Sequence, residues 1–194
     1  MSKVALVAFN ITEDVCEQSG LNYIPRASGL PQKVKDVLSA HPAPDVVIDV
    51  VPYKFKSGSK YQWVPAGSKY VSCKQMNRNS LLDVENSFNL SNAEEKDVHT
   101  INASQIDFFL NPSEYKIIVS GFDLNGVFCS AVKELESLGY DTYVASDISR
   151  LYGKVTGGFM SSRKSKFCSY ASAISGNRRF YKPSFKRGNK DVKH

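Results

Sequence analysis

The sequence has no apolar run near the roughly 20 residues that a membrane-crossing helix needs, and nothing in it reads as a helical span. The first residues, MSKVALVAFN, hold too short an apolar stretch for a secretion signal, and charges follow at once. Cysteine and histidine are sparse. Cys16, Cys73, Cys129 and Cys168 stand far apart with no Cys-x-x-Cys pair, and His41, His99 and His194 are equally scattered. Such spacing offers no cluster for a zinc site, so the expectation is free thiols in a reducing compartment, no metal and no cofactor. The expected location is the cytoplasm or the interior of a viral particle. There is no internal repeat, which argues against solenoids and propellers. RRM, KH, helix-turn-helix and zinc-finger signatures are missing too, which leaves no support for sequence-specific nucleic-acid recognition.

Acidic residues are nearly absent from the end of the chain. Between Arg150 and His194 stand twelve of the 25 Lys and Arg, against one of the 19 acids, Asp191, so this segment is +11. The rest keeps 13 bases and 18 acids and is −5, a split hidden in the overall +6. Solvated surfaces usually mix the two signs. A segment this basic attracts phosphate, or an acidic protein face, over long range. The 42% hydrophobic content is ordinary for a folded domain. About 150 residues bury roughly 70% of their unfolded surface, enough for a core.

The pattern before residue 150 alternates strands with helices. Val4–Phe9 (VALVAF) and Asp45–Val51 (DVVIDVV) are the continuous apolar runs of buried parallel strands. Leu30–His41 carries Pro31 near its start and Val34, Val37 and Leu38 on one helical face. Residues 11–30, with Gly20, Pro25 and Gly29, read as a loop, and residues 53–67 as an exposed excursion. Lys69–Cys73 fits a short strand. Helices are expected after Ser91 or Asn92, through Glu94 and Glu95, and over Ser104–Leu110. Tyr115–Ser120 is a strand, Gly121–Asn125 a turn, Val127–Leu138 an amphipathic helix stopped by Gly139, and Tyr140–Ala145 another strand. The alternation implies βαβ units, a three-layer α/β sandwich and a mainly parallel sheet. From Arg150 on no period persists, and residues 151–194 read as an irregular basic extension.

The run from Tyr115 to Asp147 resembles the isochorismatase-like cysteine hydrolases, the superfamily that includes nicotinamidases. In that family a strand leads through a short turn to a nucleophilic cysteine opening a helix, a Gly-Tyr pair follows, and a strand and a loop Asp come next. Here the strand is YKIIVSG, the turn Gly121-Phe-Asp-Leu-Asn125-Gly, the pair Gly139-Tyr140, and the following strand ends at Asp147. Counting twelve residues back from Gly139 reaches Val127 at the nucleophile position. The family's first strand ends in a catalytic Asp; here VALVAF ends in Asn10. The family's lysine follows its third strand, about where Lys74 stands. The resemblance covers residues 3–150 and implies an isochorismatase-like fold for residues 1–150.

It also implies a silent site. The family reaction needs a thiolate to attack carbon, a carboxylate to take the thiol proton and a lysine to stabilise charge. Valine cannot attack and asparagine cannot act as a base. Such residues act as a unit, so no catalytic residue is expected, only the relic positions Asn10, Lys74 and Val127. Cys129 is the fallback nucleophile, but two residues along a helix is a rotation of about 200°, so Cys129 and Val127 face apart. Each also has a plain structural reading: Cys129 as a small buried hydrophobe, Asn10 as a turn residue closing the first strand, Lys74 as a solvated lysine. Asp14 is the neighbouring carboxylate that could replace the base; a surface loop is the alternative.

The basic segment supports two functional readings. Arg163, Lys164, Lys166, Arg178, Arg179, Lys182, Lys186 and Arg187 could meet nucleic-acid phosphate while Phe180, Tyr181 and Phe185 stack on bases. Alternatively, the same residues form an arm docking on protein subunits, since aromatics and Arg are what interface anchors use. Seven aromatics between Tyr152 and Phe185 argue against an inert tail. The expected role is a catalytically silent isochorismatase-like scaffold in a larger assembly, such as a viral or phage particle, docked through residues 151–194. Nucleic-acid association and active hydrolysis through Cys129 are the alternatives. Partners are protein subunits, nucleic acid or further copies of this chain, with no membrane.

Overall fold

The computed structural model describes residues 2–20, 23–52, 63–75, 84–88, 99–102, 110–122, 127–150 and 166–176, with backbone alone for 13–14, 51–52, 71–75, 84–88, 99–102 and 127–131. These form one sheet of 8 strands, ordered β5-β4-β3-β2-β1-β6-β7-β8. The strands are β1 (Lys3–Phe9), β2 (Val46–Pro52), β3 (Lys69–Gln75), β4 (Val84–Phe88), β5 (His99–Asn102), β6 (Tyr115–Phe122), β7 (Asp141–Arg150) and β8 (Phe167–Cys168). From β3 to β8 every neighbouring pair is parallel. β4 and β5 add an antiparallel margin beside β3. The sheet is thus mainly parallel, as its apolar runs predict.

Both faces are covered, which is why the central strands are apolar at consecutive positions rather than alternating ones. In β1 every residue from Val4 to Phe9 is buried. One face carries α1 (Glu13–Cys16) and α2 (Leu30–Ala40). Leu30, Val34 and Leu38, spaced one helical turn apart, join Leu6, Ala8, Val47, Ile118 and Tyr143 in a single cluster. Val132 and Leu135 of α3 (Val127–Ser137) are buried outside that cluster, where α3 packs along β7. Gly139, at φ 90°, ends α3. Its N–H donates to Glu136 O and that of Tyr140 to Leu135 O, the paired bonds of a left-handed helix stop.

Several expectations change. The stretch 11–30 is not all loop: it contains α1 and a single 3-10 turn at Pro25–Ala27. Trp63 is not on an exposed excursion. It is buried, and its indole N–H donates to Ile11 O at 3.3 Å. Residues 53–62 lie outside the described residues, as do both helices expected between 91 and 109. Gly121 and Phe122 belong to β6 rather than to a turn.

β7 runs past Asp147 to Arg150. Its register against β6 slips between Val119 and Gly121, so Val119 pairs with Val144 but Gly121 with Ser149. The extra β7 residues form a bulge tied down by their own polar groups. Ser120 Oγ donates to Ile148 O at 2.7 Å, Ser149 Oγ to Ala145 O at 2.6 Å and Ser146 Oγ to Cys168 O at 3.1 Å. Asp147, expected in a loop, is inside the strand. Its Oδ1 accepts the Tyr170 N–H at 2.9 Å.

Part of the expected irregular extension is folded. β8 pairs with β7, and α4 (Tyr170–Ser175) packs back on it. Ser169 caps α4 by accepting the Ser172 N–H. Tyr170 is completely buried, and its hydroxyl donates to Pro42 O at 3.1 Å. Lys116 Nζ reaches the last carbonyls of α4, Ala173 O at 2.9 Å and Ile174 O at 3.0 Å, where a cation suits the helix dipole.

Candidate functional site

Open parallel sheets bind ligands beyond the carboxyl ends of their strands. Here that edge is set by register. Phe9 pairs with Val50 and with Gly121, Val51 with Lys74, and Phe122 with Arg150. One residue further, Lys74, Val51, Asn10, Phe122 and Arg150 therefore stand in a row across β3, β2, β1, β6 and β7. With strands about 4.8 Å apart, Lys74 and Arg150 each lie about 10 Å from Asn10, on opposite sides. α3 starts at this edge with Val127. These three positions, spread over more than a hundred residues of chain, are thus brought to one margin.

Asn10 is the centre of the row. At φ 55° it is the non-glycine residue that takes a left-handed conformation among the described residues, one that asparagine tolerates better than most. Its N–H donates to Val50 O at 3.0 Å, and its side-chain Nδ2 donates to Phe122 O at 2.6 Å. The amide therefore ties the end of β1 to the end of β6. β1 and β6 approach closely here: a Cβ on Gly121 would lie 2.1 Å from Phe9 O.

Lys74 is in β3, opposite Glu85 of β4 in the ladder. Val127 and Cys129 both lie in the first turn of α3. The fallback base, Asp14, is in α1. Cys16, on α1, is buried under the same edge, and its thiol donates to Asn10 O at 3.7 Å. Burial pushes that thiol up to about 12, opposed first by a backbone hydrogen bond at Thr12 and then by Arg150, with Glu17 adding to the rise. Burial likewise raises Cys168 to about 11, helped by Asp147. Both thiols are protonated at neutral pH and poor nucleophiles. Sequence reasoning did not place Arg150 at this edge, because only the β7 bulge brings it level with Phe122.

Of the basic-arm candidates, Lys166 is described. It pairs with Asp141 and sits 4.6 Å from the Tyr143 ring centroid, holding the start of β8 to β7. Arg163, Lys164, Arg178, Arg179, Phe180, Tyr181, Lys182, Phe185, Lys186 and Arg187 lie outside the described residues. Among the described residues no helix is long and apolar enough to cross a membrane.

The sheet order and the helical layers are those of the isochorismatase-like hydrolase fold, and this chain has that fold. The isochorismatase-like hydrolase from Alkaliphilus metalliredigens matches with a TM-score of 0.60 at 12% identity, over 90% of this chain and 99% of that one. An isochorismatase family protein from Desulfovibrio vulgaris matches at 0.56 and 14%, over 91% and 98%. The pyrazinamidase of Pyrococcus horikoshii, in complex with zinc, matches at 0.54 and 11%, over 87% and 99%. At these identities the likeness carries the fold alone. A scan against protein-family models finds no match, and neither does a search of curated proteins. As for the zinc of the pyrazinamidase, no group of three or more His, Cys, Asp or Glu among the described residues could hold a metal ion.

Proposed function

We infer that this chain uses the hydrolase fold as a docking scaffold within a larger assembly, of which a viral particle is one kind, and does not perform the cysteine-dependent hydrolysis of that fold. The observation that carries this reading is Asn10. The position where the resemblance expects a carboxylate holds an amide whose N–H is spent on Phe122 O at 2.6 Å. A carboxylate there would set two acceptor oxygens against each other, so the local structure favours the residue that cannot take a thiol proton. Val127 at the nucleophile position and the protonated state of Cys16 and Cys168 point the same way.

Docking is assigned to the basic chain that follows α4. Residues 177–194 carry Arg178, Arg179, Lys182, Lys186, Arg187, Lys190 and Lys193 with one acid, Asp191. Because Tyr170 is part of the core, a fair truncation ends at Gly176 and not at residue 150. Full-length protein is expected to co-purify with a protein partner that the 1–176 chain loses while keeping its melting temperature. If nucleic acid is retained instead, with log affinity falling steeply against log salt, the arm is a phosphate binder and the nucleic-acid alternative holds. Nicotinamide turnover that disappears in Cys129→Ala would overturn the silent-site reading. Asn10→Asp is expected to cost about 1–3 kcal/mol of stability through the lost donor and to produce no turnover.

A further inference from the structure

Asp49 places a carboxyl group in the core. It lies in the middle of β2, is fully buried, and has valine on either side of it in VVIDVV except for Ile48. Alternation along the strand puts it on the face of Val47, which packs with α2. The ladders name its neighbours on that face. On β1 these are Leu6 and Ala8. On β3 they are Ser72, directly opposite, with Tyr70 and Lys74 diagonal to it on either side. Tyr70 spans its diagonal, and its hydroxyl donates to Asp49 Oδ2 at 3.0 Å. Lys74 holds the matching position on the other side and is the cation of the set. It also stands opposite Glu85 of β4.

A carboxylate taken out of water needs an opposite charge beside it, and a tyrosine hydroxyl supplies none. Diagonal neighbours in a sheet lie about 7–8 Å apart, within reach of a long side chain. Tyr70 already crosses that distance to Asp49, and the four-carbon stem of a lysine suits the same span. We propose that Lys74 is the counter-charge of Asp49, an ion pair that joins β2 to β3 inside the fold. The lysine of the hydrolase pattern then serves the core in this chain. This assignment rests on the silent-site reading, because a catalytic lysine keeps its charge for the reacting atoms. On that reading Lys74, unlike Asn10 and Val127, has the residue type of the pattern because Asp49 needs it.

The test is a set of melting curves on full-length protein, followed by circular dichroism. Lys74→Met leaves the buried carboxylate uncompensated and is expected to lower the melting temperature by roughly 6–20 °C. Asp49→Asn keeps an acceptor for Tyr70 and leaves a lysine near a strand end, where its stem can carry the charge to water, so its expected loss is small. Adding Asp49→Asn to Lys74→Met is expected to return most of the loss; where Lys74→Met does not fold, the double variant does. Lys69→Met, at the exposed start of β3, is the control, with little loss and no rescue. The pairing is wrong, and the silent site untouched, if Lys74→Met melts with the wild type, if Asp49→Asn does not rescue it, or if Glu85→Gln rescues it instead. Nicotinamide turnover that Lys74→Met abolishes would make the lysine catalytic and overturn both readings.

Discussion

Gly121 holds the tightest contact of the site, and its replacement by alanine tests how the two central strands meet. The residue has φ 116°, outside what side chains adopt comfortably, and pairs with Phe9 across the β1–β6 ladder. An added Cβ would lie 2.1 Å from Phe9 O, 2.7 Å from Phe9 N and 2.9 Å from Phe9 C. These are backbone atoms of the central strand and cannot swing aside like a side chain. The conformation alone costs about 1–3 kcal/mol. Relieving the clash means parting β1 from β6 next to Asn10, at the further cost of about one hydrogen bond or more. A total of roughly 3–5 kcal/mol is expected, a large share of the roughly 5–15 kcal/mol that holds a domain together. Gly139→Ala is the control. It also has positive φ, 90°, but its Cβ would meet only Pro112 Cβ, at 3.9 Å. Its expected cost is about 1 kcal/mol, or roughly 2–4 °C in melting temperature. Urea unfolding followed by circular dichroism gives both values. A Gly121→Ala protein within about 1 kcal/mol of Gly139→Ala would refute the argument; one that fails to fold while the control folds would support it.

Other outcomes follow from packing and charge. Tyr170→Ala should cost about 3–5 kcal/mol and Tyr170→Phe about 1, since the ring is in the core and the hydroxyl makes one bond to Pro42 O; near-neutral Tyr170→Ala would mean β8 and α4 are not part of the fold. Alkylation of native protein at pH 8 should spare Cys16 and Cys168, whose thiols burial holds near 12 and 11, and label both after denaturation, as read by peptide mass spectrometry. Asp141 is partly desolvated, which opposes its ionisation, but hydrogen bonds from Lys166 and Tyr143 and the charges of Lys166 and Lys116 outweigh this and hold its carboxyl below the usual 3.8. A lowered folded value stabilises above the unfolded one, and that contribution is lost as pH falls below about 3.8 through the folded value. Asp141→Asn should therefore flatten the acid limb of a stability–pH curve, by well under 1 kcal/mol because the pair is half-exposed.

Local chemistry made much of the fold legible. VALVAF and DVVIDVV read as strands buried on both faces, and Val34, Val37 and Leu38 as one helical face, of which Val34 and Leu38 are in the core and Val37 packs against it. Gly139 marked the end of α3 because a left-handed stop needs a residue without a side chain there. Asn10, Lys74 and Val127 stood out by spacing within a known pattern, and the register of the sheet sets Asn10 and Lys74 in one row. Long-range pairing was not legible. The bulge in β7 depends on Ser120, Ser146 and Ser149 finding carbonyls supplied by the folded chain, so a strand that looked finished near residue 145 runs on to Arg150. That extension puts Arg150 level with Asn10. β8 and α4 were hidden inside a basic, period-free stretch because two strand residues and a six-residue helix carry too little pattern of their own. They are ordered by the edge of β7, by Asp147 and by the Pro42 carbonyl.

The sequence by itself therefore determined the layered α/β class, the charge split and the presence of an amide at residue 10, all properties of neighbouring residues and composition. Only the tertiary structure decided that the basic end begins inside the fold, and that the amide of Asn10 is a tie between β1 and β6. Both depend on atoms more than a hundred residues apart in the chain, Asn10 with Phe122 and Tyr170 with Pro42. No local pattern encodes contacts at that separation; the closing of the sheet makes them.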